Sequence, residues 1–209
     1  MIVHHFTTPI TTPFARKSTQ IYGDLRRLWE KAKIKESAKK PEITGLCRLI
    51  KGYKIMIKVL FVCHGNICRS TLAESVFTYK VSALGLADQF LIDSAATSTE
   101  EIGNPPHRGT VNKLREVGIP LVSHRARQIT WADYDRFDYI IGMDTANIRN
   151  LNRMLKGDPE GKIYKFLTFA GSSRDIADPW YTGNFDETYR DVLEGCEGFL
   201  DYLRESGMI

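Results

Sequence analysis

The stretch Val59-Leu60-Phe61-Val62-Cys63-His64-Gly65-Asn66-Ile67-Cys68-Arg69-Ser70 constrains this chain more than any other. The continuous apolar run over 57–62 reads as a strand buried on both faces, which belongs to a parallel sheet covered by helices. A short Gly-containing loop follows, and a helical pattern begins at once with Ser70-Thr71-Leu72-Ala73-Glu74. Backbone N–H groups at a helix start lack partners and point at whatever the loop encloses, and the helix dipole favours negative charge there. The same field favours a thiolate on Cys63. Arg69 adds a planar fork that can hold two oxygens of a phosphate. The bland alternative is a buried structural cysteine with an arginine six residues on by chance. Of the four cysteines, Cys47, Cys68 and Cys196 carry Tyr53, Glu74 and Tyr202 at that spacing, and only Cys63 combines it with strand, loop and helix start. The pattern reads as a phosphate ester held over a sulfur nucleophile.

The rest of the chain repeats the strand–helix alternation. Helices are expected over 70–84, 107–117, from an N-cap at Thr130 to 135, from Asp144 to 155, and over 186–205; strands are expected over 90–95, 138–143 and 163–169. On the first helix Leu72, Val76, Tyr79 and Ala83 form the expected core face; on the last, Val192, Leu193, Cys196, Phe199, Leu200 and Leu203 do. The fold class is therefore α/β, a four-stranded parallel sheet with helices on both faces. Ligands in such sheets bind beyond the carboxyl ends of the strands, where the Cys63 loop lies.

Charge divides the chain. Residues 1–55 hold twelve of the 29 Lys and Arg and four of the 25 acids, a balance of +8; residues 56–209 keep 17 basic and 21 acidic residues, or −4. The basic pI of 8.8 belongs to the N-terminal segment, so no nucleic-acid partner follows from it. That segment, 1–55, is expected to be a basic extension with a helix over 24–40, or a product of a misassigned start ahead of Met56, and 56–209 to be the catalytic domain. The acid-free first 23 residues bear a faint likeness to a transit peptide. The cysteines form no disulfide framework, no apolar run approaches a membrane span, and a thiolate needs a reducing compartment, so a cytoplasmic protein without a membrane partner is expected.

The loop resembles that of the low-molecular-weight protein tyrosine phosphatases, V-C-x-G-N-x-C-R-S. Further segments resemble that family in its own order: Asp93-Ser94-Ala95-Ala96-Thr97-Ser98, Ile102-Gly103-Asn104-Pro105-Pro106, His124-Arg125-Ala126-Arg127-Gln128-Ile129, Phe137-Asp138-Tyr139-Ile140, Met143-Asp144 and Asp178-Pro179-Trp180-Tyr181. The likeness runs from about Ile57 to the C-terminus. It implies hydrolysis of phosphotyrosine, or a small aryl phosphate, through a phosphocysteine on Cys63, with phosphate and vanadate as ligands and no cofactor or metal. It further implies that His64, Gly65, Asn66, Ile67, Cys68 and Arg69 cradle the phosphate, and that Asn66 holds the loop's strained shape. Ser70 is expected to donate to the Cys63 sulfur, with a plain helix N-cap as its structural alternative, and Asp144 to support the loop.

Asp178 is the implied acid and then base, although Asp-Pro alone is an ordinary turn signal. Trp180 and Tyr181 suit one wall of a cleft for a phosphoaryl ring. Two positions depart from the family: Glu100 stands where an aromatic often forms the opposite wall, and Thr71 where proline is usual. Cys68 reads either as a redox partner of Cys63 or as a small packing residue. Arsenate reductases share the fold but use an additional mid-chain cysteine pair, and none lies between Cys68 and Cys196. Arginine phosphatases of the family carry threonine at the place of Ile67, which favours phosphotyrosine here. A phosphate-binding module without activity would not need thiolate, acid and arginine together.

Overall fold

The computed structural model describes residues 56–209. The basic extension of 1–55 and the helix expected over 24–40 lie outside the described residues. Four parallel strands, β1 (Ile57–Cys63), β2 (Phe90–Ala96), β3 (Tyr139–Gly142) and β4 (Ile163–Lys165), form one sheet in the order β2-β1-β3-β4. The helices are α1 (Arg69–Ala83), α2 (Arg108–Glu116), α3 (Trp131–Arg136), α4 (Thr145–Met154), α5 (Pro179–Thr182) and α6 (Phe185–Glu205). Among the described residues no helix is long and apolar enough to cross a membrane.

β1 is central and buried on both faces, as its unbroken apolar run requires. Val59 and Phe61 turn to one core with Phe77 of α1 and Val192, Cys196 and Phe199 of α6. Leu60 and Val62 turn to a second core with Tyr134 of α3 and Leu151 of α4. Each such side chain withdrawn from water contributes about 1.5–3 kcal/mol before the entropy of ordering it. Burial of β1 therefore fixes the position of the loop that follows it. Chain order reverses at β1, with β2 on one side and β3 on the other, which opens a crevice beyond their carboxyl ends.

Helix caps carry much of the local specification. Thr130 and Asp133 form a capping box on α3, and Asp144 caps α4 by accepting from the Asn147 N–H at 2.6 Å. On α1 the structure corrects the expected face: Leu72 and Val76 are buried, but Tyr79 and Ala83 are exposed, and Ala73, Phe77 and Val81 complete the core side. The helix begins at Arg69 with Cys68 in the cap position, so Ser70 lies inside the first turn and is not its N-cap.

The strand expected over 163–169 is also shorter. Only Ile163–Lys165 pairs, because β3 ends at Gly142 opposite Lys165 and offers no further partner. Phe166–Ala170 coils into a 3₁₀ turn against α6 instead. Two glycines make room for it: a Cβ on Gly195 would meet the Phe166 ring at 2.9 Å, and one on Gly198 the 169–170 backbone at 2.7 Å.

Candidate active site

The loop after β1 is held from outside by its carbonyls. Cys63 O accepts from Thr97 N at 2.9 Å, His64 O from Ser98 N at 3.0 Å, Ile67 O from His107 N at 2.7 Å, and Cys68 O from Leu72 N at 3.0 Å. In a planar trans peptide the N–H points opposite to the C=O. The N–H groups of His64, Gly65, Cys68 and Arg69 are thus turned to the loop's interior. Asn66 N–H points at Cys63 Sγ, 3.3 Å away. The result is a ring of donors around a sulfur at the start of a 15-residue helix.

Asn66 is the keystone of that ring. Its φ of 59° is left-handed, a conformation that asparagine tolerates better than most residues. Its side chain is fully buried and makes four hydrogen bonds: Nδ2 donates to Ser70 Oγ (3.0 Å) and Ser94 Oγ (2.8 Å), and Oδ1 accepts from Arg127 N (3.1 Å) and His124 Nε2 (2.7 Å). Because Ser70 Oγ accepts from Asn66, its own proton is free for Cys63 Sγ at 3.1 Å. Ser94 Oγ donates onward to Glu74 Oε2 at 2.6 Å.

Under the loop, burial pushes the Glu74 carboxyl up to about 7 and the His124 imidazole down. Glu74 Oε2 and His124 Nδ1 are 3.5 Å apart, within ion-pair reach, yet both shifts favour neutral forms. Burial decides here: below about pH 7 the pair is a protonated carboxyl beside a neutral ring whose Nε2–H points at Asn66. Ligand atoms of Glu74, Asp93 and His124 lie within 4.8 Å of one another. They are already engaged by Ser94, Arg127 and Asn66, so the group serves the loop.

Arg69 is 2% exposed. Its Nη1 donates to Asp144 Oδ2 at 2.5 Å and to Ile176 O at 3.1 Å, and its Nη2 donates to Asp178 Oδ2 at 2.5 Å. Burial opposes its charge, but Cys63, Asp178 and Asp144 outweigh that and hold the guanidinium above its usual range. Its Nε is buried without a partner. A buried donor left unpaired costs about 1–3 kcal/mol, which an incoming anion oxygen would recover.

Asp178 is extended (φ −82°, ψ 113°), as a residue before proline should be, and it caps the short helix α5 through Trp180 N–H. The cleft is lined by the loop residues Cys63, His64, Gly65, Ile67 and Cys68 together with Glu100, Glu101, Asp178, Trp180 and Tyr181. Asn66 and Ser70 lie beneath this surface and support it, and Arg69 reaches it from the helix side. Cys68 is 5% exposed and packs with Ile67 and Ala126. Burial, with Cys63 beside it, pushes its thiol up to about 12. Sequence reasoning singled out no role for Glu74, Ser94 or His124, although Ser94 and His124 lie in the segments that carry the resemblance.

The described domain matches the model of the low molecular weight phosphotyrosine protein phosphatases over residues 58–208. The chain belongs to this family. A low molecular weight protein-tyrosine-phosphatase of Bacillus subtilis, YfkJ, is 44% identical over 152 residues, covering 72% of this chain and 97% of that protein. The human low molecular weight phosphotyrosine protein phosphatase is 41% identical over 150 residues, covering 68% of this chain and 93% of that protein. Among solved structures, YfkJ aligns with a TM-score of 0.70 at 42% identity over 72% of this chain and 96% of its own. A Drosophila arginine phosphatase aligns at 0.65 and 33% identity, over 70% of this chain and 97% of its own.

Proposed function

We infer that this chain hydrolyses phosphotyrosine and other aryl phosphate monoesters through a phosphocysteine on Cys63. One observation carries the reading: Asn66 N–H and the Ser70 hydroxyl converge on Cys63 Sγ within the donor ring, and Asp178 sits across the cleft, tied to Arg69. Two donors aimed at one sulfur suit a thiolate, because a thiol needs no such pair.

A phosphoryl dianion fits the ring of N–H groups and the Arg69 guanidinium, displacing the Asp178 carboxylate from Arg69 Nη2. Cys63 Sγ then attacks phosphorus as the bond to the phenolic oxygen breaks. Asp178, once released from Arg69, takes up a proton from solvent; the leaving oxygen takes the bond's electron pair and that proton. In the second half Asp178 accepts a proton from water as that water attacks phosphorus. The S–P bond breaks, inorganic phosphate is released, and the Ser70 hydroxyl stabilises the departing thiolate. The donor ring serves both halves because it is fixed before substrate arrives.

Ile67 favours a phenolic over a guanidinium phosphate, since its apolar side chain stands at the cleft floor with only 7% exposure. The substrates are then tyrosine-phosphorylated proteins or small aryl phosphates, with phosphate and vanadate as competing ligands. A cysteine nucleophile suits a reducing compartment such as the cytoplasm. Oxidation would begin at Cys63, with Cys68 as resolving thiol, which would make inactivation reversible. Asp178→Asn tests the acid: it should slow aryl phosphates with poor leaving groups by about 10²–10⁴-fold, and p-nitrophenyl phosphate much less. Equal losses on both would remove Asp178 from that role.

A further inference from the structure

The cleft that Trp180 and Tyr181 line also carries two acids, Glu100 and Glu101. His64 Nε2 lies 3.0 Å from Glu100 Oε2 and holds that carboxylate over the loop mouth, where its side chain is 70% exposed. Glu101 packs against Gly65, whose added Cβ would lie 3.1 Å from its Cγ, and its carboxylate accepts from Asn104 Nδ2 at 2.7 Å. Glu101 is thus packed against the loop, and Glu100 is tethered to it through an exposed contact with His64. Two carboxylates beside a site that must admit a phosphate dianion repel it, and the −4 balance of residues 56–209 adds to that field. The repulsion turns into selection if the substrate brings its own positive charge to the same place. A phosphotyrosine whose phosphoryl group sits in the loop must lead its peptide out through the cleft that Glu100 and Glu101 line. The exposed rings of Trp180 and Tyr181, which line the same cleft, offer faces suited to a cation.

We propose that Glu100 and Glu101 select phosphotyrosine sequences with an arginine or lysine next to the phosphorylated residue. The proposal rests on the phosphatase reading above and adds the chemistry of the flanking residue to it.

The test compares three phosphotyrosine peptides that differ only at the adjacent residue: arginine, alanine or aspartate. The arginine peptide should exceed the alanine peptide in kcat/KM by about fivefold at low salt, mainly through KM, with the aspartate peptide slowest. In about 1 M salt the ratio should approach one. Glu100→Gln with Glu101→Gln should level the arginine-to-alanine ratio and improve the alanine peptide, because repulsion of the dianion is relieved. Glu197→Gln, on the surface shared by α1 and α6, should leave the ratio as it was. Equal kcat/KM for all three peptides on the unaltered protein would overturn the selection and leave the phosphatase reading standing. Failure to hydrolyse any of them would overturn the phosphatase reading itself. Phosphoarginine cleaved faster than every phosphotyrosine peptide would put the cation on the phosphorylated side chain and overturn the flanking-residue proposal.

Discussion

Replacing Asn66 tests whether one buried side chain sets the shape of the donor ring. Asn66→Ala removes four hydrogen bonds, to Ser70, Ser94, Arg127 and His124, and puts a residue with a Cβ and no local hydrogen bonding at φ 59°. At about 1 kcal/mol per buried bond the first loss is about 4 kcal/mol. The left-handed backbone adds roughly 1–2 kcal/mol for alanine. Asn66→Gly loses the same bonds but accepts that backbone freely, and its gain is partly offset by about 0.4–1 kcal/mol of extra unfolded-state freedom. Glycine should therefore be more stable than alanine by about 1 kcal/mol, and both should fall well below the unaltered protein. Urea unfolding reads this directly, with unchanged slope and shifted midpoint. Turnover should drop on the order of 10²-fold in both, since donors displaced by an ångström no longer meet the phosphoryl oxygens. An alanine variant within about 1 kcal/mol of the unaltered protein, or a glycine variant no better than alanine, would refute the reasoning.

Two further perturbations probe the same support. Glu74 has its folded carboxyl raised from 4.5 to about 7, so its contribution to stability is whole below about 4.5 and is lost as pH rises to about 7. Glu74→Gln should remove that decline, worth up to about 3 kcal/mol, and a urea midpoint that still falls equally across the window would contradict the assignment. Peroxide should inactivate the protein reversibly, and Cys68→Ser should be oxidised irreversibly more readily, with a smaller fraction recovered by dithiothreitol; identical recovery in both would leave Cys68 a packing residue.

The strand, loop and helix start around Cys63 could be read directly because each is a local pattern: an apolar run, a glycine, and a cysteine-to-arginine spacing. The caps at Thr130 and Asp144 were legible for the same reason. The end of β4 was not, since the strand-like stretch from Ile163 to Phe169 is the same whether or not β3 offers a partner, and the glycines that receive the 3₁₀ turn lie on α6. The wrong face on α1 has a related cause. Its first turns are buried all round beneath the loop, polar Glu74 and Ser75 included, so apolar spacing alone picks the wrong stripe. Asn66, Ser94, Glu74 and His124 meet from four separate elements, and no spacing in the sequence announces that meeting. Ser94 and His124 were visible only as parts of segments that carry a family resemblance, and Glu74 only as a residue of the expected first helix.

The central claim, a thiolate that takes the phosphoryl group, is tested most directly by trapping the intermediate. Rapid acid quench during turnover of p-nitrophenyl phosphate, followed by peptide mass analysis, should find one phosphoryl group on the peptide containing Cys63. A burst of nitrophenol equal to the enzyme concentration should accompany it whenever breakdown of that intermediate limits turnover. Cys63→Ser should give neither and should still bind vanadate, because the backbone ring remains. Full turnover by Cys63→Ser, or a phosphoryl group trapped on any other residue, would contradict the account.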